Sequence, residues 1–188
     1  MASSTYMSGR KNYSRPQAML WSDNSGTIQN GLYLPIGNEF EDFIVLTDHN
    51  RAEISMSQQR IENRQRMING TMRSYWNADK LNVSTSWERL PSRSFSTATT
   101  ISTSTGKYTG AGEQYIVDAG ASGSDMLSWY ENHSGPFWVY LAYDKDHSSL
   151  QTYSDVRLMF FSSFEYSVEK RGATNHDFWN VSVQLEEA

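Results

Sequence analysis

Apolar and polar residues alternate over long stretches of the chain, most clearly across residues 155–187. A period of two predicts a β-strand with one buried face. One parity of the first run is apolar except at Ser162, and the run that follows Gly172 alternates in the same way. The apolar members are Val156, Leu158, Phe160, Phe164, Tyr166 and Val168, then Trp179, Val181, Val183 and Leu185. We therefore predict an antiparallel C-terminal hairpin on which the rest of the chain packs.

The same period extends over residues 52–87 and predicts a meander of long strands. Ile68, Met72 and Trp76 share one parity within it, and its polar positions are rich in Arg, Gln, Asn and Ser. Two segments have the composition of turns, so we place the breaks between strands at 62–64 and 77–79. Shorter apolar runs predict further strands at 31–35, 43–46 and 115–117.

A single helix is predicted over 124–133, where Ser124 or Asp125 can cap the first turn through a side-chain oxygen. Its apolar stripe consists of Met126, Leu127, Trp129 and Tyr130. The Gly-Pro pair at 135–136 ends the helix. Residues 137–143 are apolar on both parities, which predicts a central strand covered on both faces, on one of them by the helix.

These elements predict a mainly β protein, either an antiparallel β-sandwich or a curled sheet, with one short α-helix packed on it. We divide the chain into an extended N-terminal arm, residues 1–30, and a β domain, residues 31–188. The arm is polar, and its composition is typical of a disordered tail. The other interpretation is an arm that a neighbouring subunit holds. Residues 96–105 are almost wholly Ser and Thr, and we expect either a flexible loop or an exposed strand there.

Composition narrows the classes of function. Aromatic residues make up 13% of the 188 residues, so the core should rely on Trp, Tyr and Phe. A net charge of −5 argues against a general nucleic-acid binder. The absence of cysteine excludes disulfides, thiol catalysis and thiolate metal sites. No apolar run approaches a membrane span, and the N-terminus lacks the apolar core of a signal peptide, so we expect folding in a cytoplasm and no membrane partner.

The motif search reveals no catalytic signature. The histidines are not spaced as metal ligands, and the DKDH segment at 144–147 lacks the Gly and Glu of a calcium loop. Neither a nucleophile elbow nor a dinucleotide loop is present. We therefore expect no enzymatic activity, no cofactor and no bound metal. A basic stretch is either a solvated strand face or a contact to an acidic neighbouring subunit. With Trp21, its members are our candidate inter-subunit residues: Arg60, Arg64, Arg66 and Arg73.

Three regions together resemble tailed-bacteriophage tail proteins. They are MINGTMRSYW at 67–76 with LNVSTSW at 81–87 and LPSR at 90–93, then DMLSWY at 125–130 with FWVY at 137–140, and finally YSVEKR at 166–171 with FWNVSVQL at 178–185. The order of a long hairpin, a helix, a strand and a closing hairpin is similar to the building block of tail tubes and distal tail proteins. The resemblance covers residues 43–187 and leaves the N-terminal arm without a counterpart.

This resemblance implies a virion structural protein, assembled in the host cytoplasm, whose copies form a ring around the DNA channel. The ring is usually sixfold in that family. The implied partners are copies of the same chain, other tail proteins, and DNA that passes without specific binding. The hairpin around 63–66 and the N-terminal arm would contact neighbouring subunits, and the Ser/Thr segment would face a neighbouring layer. An acidic protein suits a DNA channel, because phosphate contacts would hinder sliding.

Two other functions remain as alternatives. The abundant Trp and Tyr side chains can stack on sugar rings, which favours a carbohydrate-binding β-sandwich on a virion surface. Trp87, Trp129 and Trp179 would otherwise belong to the core. A hydrolase of the cell envelope rests only on scattered carboxylates.

Overall fold

The computed structural model describes residues 19–29, 31–37, 42–48, 50–93, 95–96, 114–115, 120–142, 153–170 and 177–188. Within them the protein is mainly β, with one large antiparallel sheet and one helix, which confirms the predicted fold class. The strands are β1 (Met19–Ser22), β2 (Thr27–Gln29), β3 (Leu32–Leu34), β4 (Phe43–Val45), β5 (Ser55–Arg66), β6 (Met72–Pro91), β7 (Phe95–Ser96), β8 (Gln114–Tyr115), β9 (Phe137–Leu141), β10 (Asp155–Lys170) and β11 (Phe178–Glu187). The helix α1 spans Gly123–Asn132.

Seven strands form the large sheet in the order β4-β1-β9-β10-β11-β6-β5. Two small sheets pair β2 with β3 and β7 with β8. Strand β9 lies between β1 and β10, which confirms the predicted central strand. Most of the Ser/Thr segment, the DKDH segment and residues 1–18 lie outside the described residues.

Two apolar clusters cover opposite faces of the sheet. The larger cluster joins α1, through Met126 and Trp129, to Val139 of β9 and to the inward residues of β6 and β11. We call this side of the sheet the helix face. The smaller cluster lies on the other side and includes Tyr140 and Tyr153. The helix therefore covers one face of the central strand, as predicted.

Trp21 does not lie in an arm. Strand β1 pairs with both β4 and β9, so the sheet includes the chain from Met19 onward. The Trp21 side chain is 0% exposed, and its ring packs edge-on against Phe137 at 5.7 Å and Phe161 at 5.2 Å between centroids. The expectation that Trp21 contacts a neighbouring subunit therefore needs correction, because its own chain already covers the whole indole.

The C-terminal hairpin forms as predicted from β10 and β11, but its first strand does not bury a single face. The strand has a bulge between Phe161 and Ser163. Before the bulge, Val156 packs on the smaller cluster, and after it Phe164 packs on the larger one. One additional residue reverses the side on which each parity lies. The even-numbered apolar residues of this strand therefore lie on one face of the sheet before the bulge and on the other face after it.

The predicted breaks in the meander are wrong. Strand β5 runs through 62–64, β6 runs through 77–79, and the chain reverses once, at 67–71. Gly70 supports that turn with a φ of 81°, and the Met67 amide donates to the Thr71 carbonyl at 2.8 Å. Both faces of these strands are exposed to solvent there. Polar residues that are typical of turns therefore fit within the strands, because neither face is buried.

The helix is capped two residues before the first predicted cap, Ser124. Ser122 is the N-cap, and its hydroxyl accepts a hydrogen bond from the Asp125 amide at 3.4 Å. The Asp125 carboxylate in turn accepts from the Ser122 amide at 2.9 Å, which completes a capping box. Asp125 therefore acts at the third helical position rather than as the cap itself.

Candidate interaction surface

The end of the β5–β6 hairpin extends beyond the sheet. Strand β11 pairs with β6 only between Asn82 and Pro91. Eight residue pairs, from Gln59–Lys80 to Arg66–Met72, have no third strand beside them. At about 3.3 Å per residue they reach about 26 Å past the sheet. We call residues 59–80 the distal hairpin. Neither core cluster contains a residue from it.

The cross-strand pairs assign each side chain of the distal hairpin to one of two faces. Strand β5 keeps its parity, and Met56 pairs with the core residue Val83, so the even-numbered positions of β5 continue the helix face. Those positions and their partners are Arg60, Glu62, Arg64, Arg66, Met72, Ser74, Trp76 and Asp79. The opposite face presents Gln59, Ile61, Asn63, Gln65, Arg73, Tyr75, Ala78 and Lys80. A bulge at Asn77 shifts the register between Ile61 and Glu62, so the parity of β6 that lies on each face changes there.

Large apolar side chains on the distal hairpin are exposed to solvent. Trp76 is 62% exposed, and the others are Ile61, Met67, Ile68, Met72 and Tyr75. The sequence places Ile68, Met72 and Trp76 on one parity of a strand, which is the pattern of a buried face. Here that pattern occurs where no second layer of described residues covers the hairpin. Met72 and Trp76 lie on the helix face and Ile61 and Tyr75 on the other, so the hairpin offers exposed apolar side chains to a partner on both faces.

The structure brings the four predicted arginines together on the distal hairpin but gives them different environments. Arg60 donates to both carboxylate oxygens of Asp79, from Nε at 2.9 Å and from Nη2 at 3.3 Å. Arg64 pairs with Glu62, which also accepts from the Ser74 hydroxyl. Within the described part of the chain, Arg66 and Arg73 have no carboxylate partner. Two guanidinium groups thus remain available to another molecule.

Charge is distributed unevenly between the distal hairpin and the rest of the chain. Residues 59–80 contain five Lys and Arg and two Asp and Glu, which gives a charge of +3. Because the whole chain carries −5, the remaining residues carry −8. A second copy of the chain therefore offers the distal hairpin a surface of opposite charge.

Acid should loosen the distal hairpin before it unfolds the sheet. Hydrogen bonds from Arg60 lower the pKa of Asp79, and a hydrogen bond from Arg64 lowers the pKa of Glu62. A lowered folded-state pKa contributes stability that is present near neutral pH and is lost as the pH falls through the usual carboxyl range, near 4. Amide exchange in the distal hairpin, corrected for its intrinsic pH dependence, should accelerate between pH 7 and 3 relative to β9.

The variant Asp79→Asn is the matched control for that experiment. It removes one titrating group and its ion pair, so its hairpin amides should exchange faster already at pH 7 and respond less to acid. Equal protection at pH 7 and pH 3 in the wild-type hairpin would contradict the assignment.

The sheet face opposite the helix is polar where β10, β11 and β6 meet. Two shallow grooves lie on it, of about 340 and 310 Å³. Ser, Asn and Gln side chains line both grooves together with Glu88, Glu165 and Glu186. Neither lining includes Lys or Arg. We call this surface the polar face.

The two edges of the large sheet differ in how much of their backbone is open. Beside β4, Leu46 forms a bridge to Ala121, and the Ala121 amide donates to the Val45 carbonyl at 2.6 Å. At the other edge, the described residues pair β5 on one side only, over its full length from Ser55 to Arg66. An unpaired strand of this length can accept a strand from another chain.

Features of other functional classes were sought in the described residues. They include no group of three or more His, Asp or Glu positioned to hold a metal ion. Their helix is too short to cross a membrane. The Asp23 carboxylate accepts a hydrogen bond from His133 Nε2 at 2.7 Å, and the His133 ring stacks on Trp129, which places this histidine in a structural contact. No protein-family model matches the chain, and no curated protein is significantly similar to it in sequence.

Proposed function

We propose that the protein is a structural subunit of a phage virion tail, whose copies join into a ring around a channel for DNA. The observation that carries this proposal is the distal hairpin, which exposes Trp76, Met72 and Ile61 on strands that no other described residues of the chain cover. Burying such side chains between copies removes apolar surface from water, at about 25 cal/mol per Å². A hairpin of this kind serves assembly better than it serves the stability of an isolated chain.

The open edge of β5 also supports assembly. A free strand edge such as that of β5 is a liability in a monomer, because it can pair with any exposed strand. In a closed ring each edge meets the same neighbouring surface on the next copy, so the liability becomes a specific contact.

The polar face is suited to line the channel. Its carboxylates Glu88, Glu165 and Glu186 repel phosphate, and its Ser, Asn and Gln side chains remain hydrated. Each Lys or Arg contact to a phosphate would release counterions and bind the DNA more strongly. The two grooves lack such residues, and Arg73 and Lys80 lie farther along the same side, on the distal hairpin, so the grooved part of the face lets DNA pass without being held. Under this proposal the protein is not an enzyme and acts in the virion, beside other tail proteins.

The experiment is the mass of the purified protein across a concentration series, with negative-stain images of the largest species. Rings or stacked tubes are the expected result, and the same particles should not retain duplex DNA at physiological salt. A strict monomer at every concentration would count against the proposal, as would tight DNA binding by the particles.

A carbohydrate-binding module on a virion surface is the second candidate. The observation that favours it is the exposure of Trp76 and Tyr75, whose rings are open to stacking by a sugar. Several other aromatic rings stack on each other instead, such as Tyr166 on Trp179 at 5.1 Å, so those faces are less open to a sugar. A glycan that quenches tryptophan fluorescence in the wild type, but not in Trp76→Ala, would favour this function over assembly.

A further inference from the structure

A second apolar surface lies on the helix face, beside α1. It consists of Tyr130, Phe164, Tyr166, Val168 and Trp179, which we call the aromatic patch. The rings form a continuous row, since Tyr130 stacks on Phe164 at 4.9 Å and Tyr166 stacks on Trp179 at 5.1 Å. Tyr166 and Val168 are each 49% exposed. The helix lies against the Trp179 ring at Gly123, so the open part of the row is Tyr166 and Val168, with Tyr130 at its rim.

The aromatic patch and the distal hairpin lie at opposite ends of the molecule. Val168 pairs with Trp179, and Trp179 pairs with Leu90 near the end of β6. Trp76 lies near the start of the same strand. At about 3.3 Å per residue, Trp76 and Leu90 are separated by about 46 Å along β6. Because this strand is continuous, the distal hairpin cannot fold back onto the patch of its own chain.

We propose that the distal hairpin of one copy docks on the aromatic patch of the next copy, in a head-to-tail contact. This inference rests on the proposed assembly function and names the site on which the hairpin docks. The matching surfaces lie on the helix face of both partners: Trp76 and Met72 on the hairpin meet the row of rings. Arg66, which lies on the same hairpin face without a carboxylate partner, is available to stack over a Tyr or Trp ring.

Charge complementarity favours the same pairing. The hairpin carries +3 and the remainder of each chain carries −8. At the rim of the patch, Glu131 follows Tyr130 and Lys170 lies two residues after Val168; both are exposed, and neither has an ion-pair partner among the described residues. The polar face is more acidic but offers no seat for Trp76, because hydrated Ser, Asn and Glu side chains would be buried against the indole.

The direction of the contact determines what it builds. A contact between unlike surfaces at opposite ends is heterologous, so it closes into a ring or continues as an open stack, depending on the rotation from one copy to the next. A stable interface buries about 800 Å² on each partner. One hairpin and five patch residues bury less than this, so a single contact is weak. Several such contacts between two rings act together, and the stack then holds through effective concentration.

Cysteine cross-linking tests the proposal, because the chain contains no cysteine of its own. Ser74→Cys places a thiol on the hairpin beside Trp76, and Val168→Cys places one in the patch; both changes are nearly isosteric. Mixing the two variants and oxidising them should give a covalent dimer of about 43 kDa from two 21.5-kDa chains. Each variant alone should give little dimer. Adding Trp76→Ala to the hairpin variant should abolish the cross-link.

The control is Thr27→Cys, an exposed position outside both surfaces, which should not cross-link with Ser74→Cys. Equal dimer formation by Ser74→Cys alone would overturn the head-to-tail arrangement in favour of hairpin against hairpin. If rings form but Ser74→Cys and Val168→Cys do not cross-link, the aromatic patch is not the docking site, and the proposed assembly function is still supported. Absence of both particles and cross-link would reject both.

Discussion

Trp21→Ala should destabilise the protein by about 3–5 kcal/mol, whereas Trp76→Ala should change the stability of the isolated chain by no more than about 0.5 kcal/mol. Both residues are tryptophans in strands, and they differ in what surrounds them. Trp21 is fully buried between Phe137 and Phe161, so its removal leaves a large cavity in the main cluster. Trp76 is 62% exposed on the distal hairpin, where solvent fills the space.

Urea unfolding measures this pair directly. The midpoint for Trp21→Ala should fall strongly at an unchanged m-value, and Trp76→Ala should follow the wild-type curve. Concentrations must be low enough that the wild type does not assemble, because association would add apparent stability. A Trp21→Ala protein as stable as the wild type would mean that β1 is dispensable for the sheet, contrary to its pairing with β4 and β9.

The elements that could be predicted from the sequence are those with local signals. A period of two on both sides of a Gly-containing segment predicted the β10–β11 hairpin, and an apolar stripe before Gly-Pro predicted α1. The bulge at Ser162 has no such signal, because an inserted residue in a Ser-Ser pair looks like any other step of the strand. The bulge places Val156 and Phe164 on opposite faces of the sheet. This is visible only in the register between β10 and β11.

The interaction surface was predicted in part. The arginines at 60, 64, 66 and 73 do lie together on one hairpin, and their spacing in the sequence was enough to indicate this. Their pairing was not predictable, because Arg60 meets Asp79 from the opposite strand. The exposure of Trp76 and Met72 was also hidden, since an alternating strand indicates one apolar face but not whether the chain folds a layer over it.

Replacing residues 60–79 by a two-residue Asn-Gly turn should leave the fold intact and abolish assembly. Gln59 and Lys80 are directly paired, so a tight hairpin turn can connect them in the existing register. Neither core cluster includes any of the removed residues, so the melting temperature should stay close to the wild-type value. Light scattering and negative-stain images should show a monomer where the wild type forms particles.

The truncation also removes a charge of +2, which raises repulsion between copies, so a second variant must separate charge from apolar contact. The triple change Ile61→Ser, Met72→Ser and Trp76→Ser keeps the hairpin backbone and the net charge of −5. If apolar burial drives assembly, this variant should fail to assemble as the truncated one does. If it assembles normally while the truncation does not, the arginines and the open edge of β5 hold the copies together instead. Particles formed by the truncated chain would exclude the distal hairpin as the assembly surface.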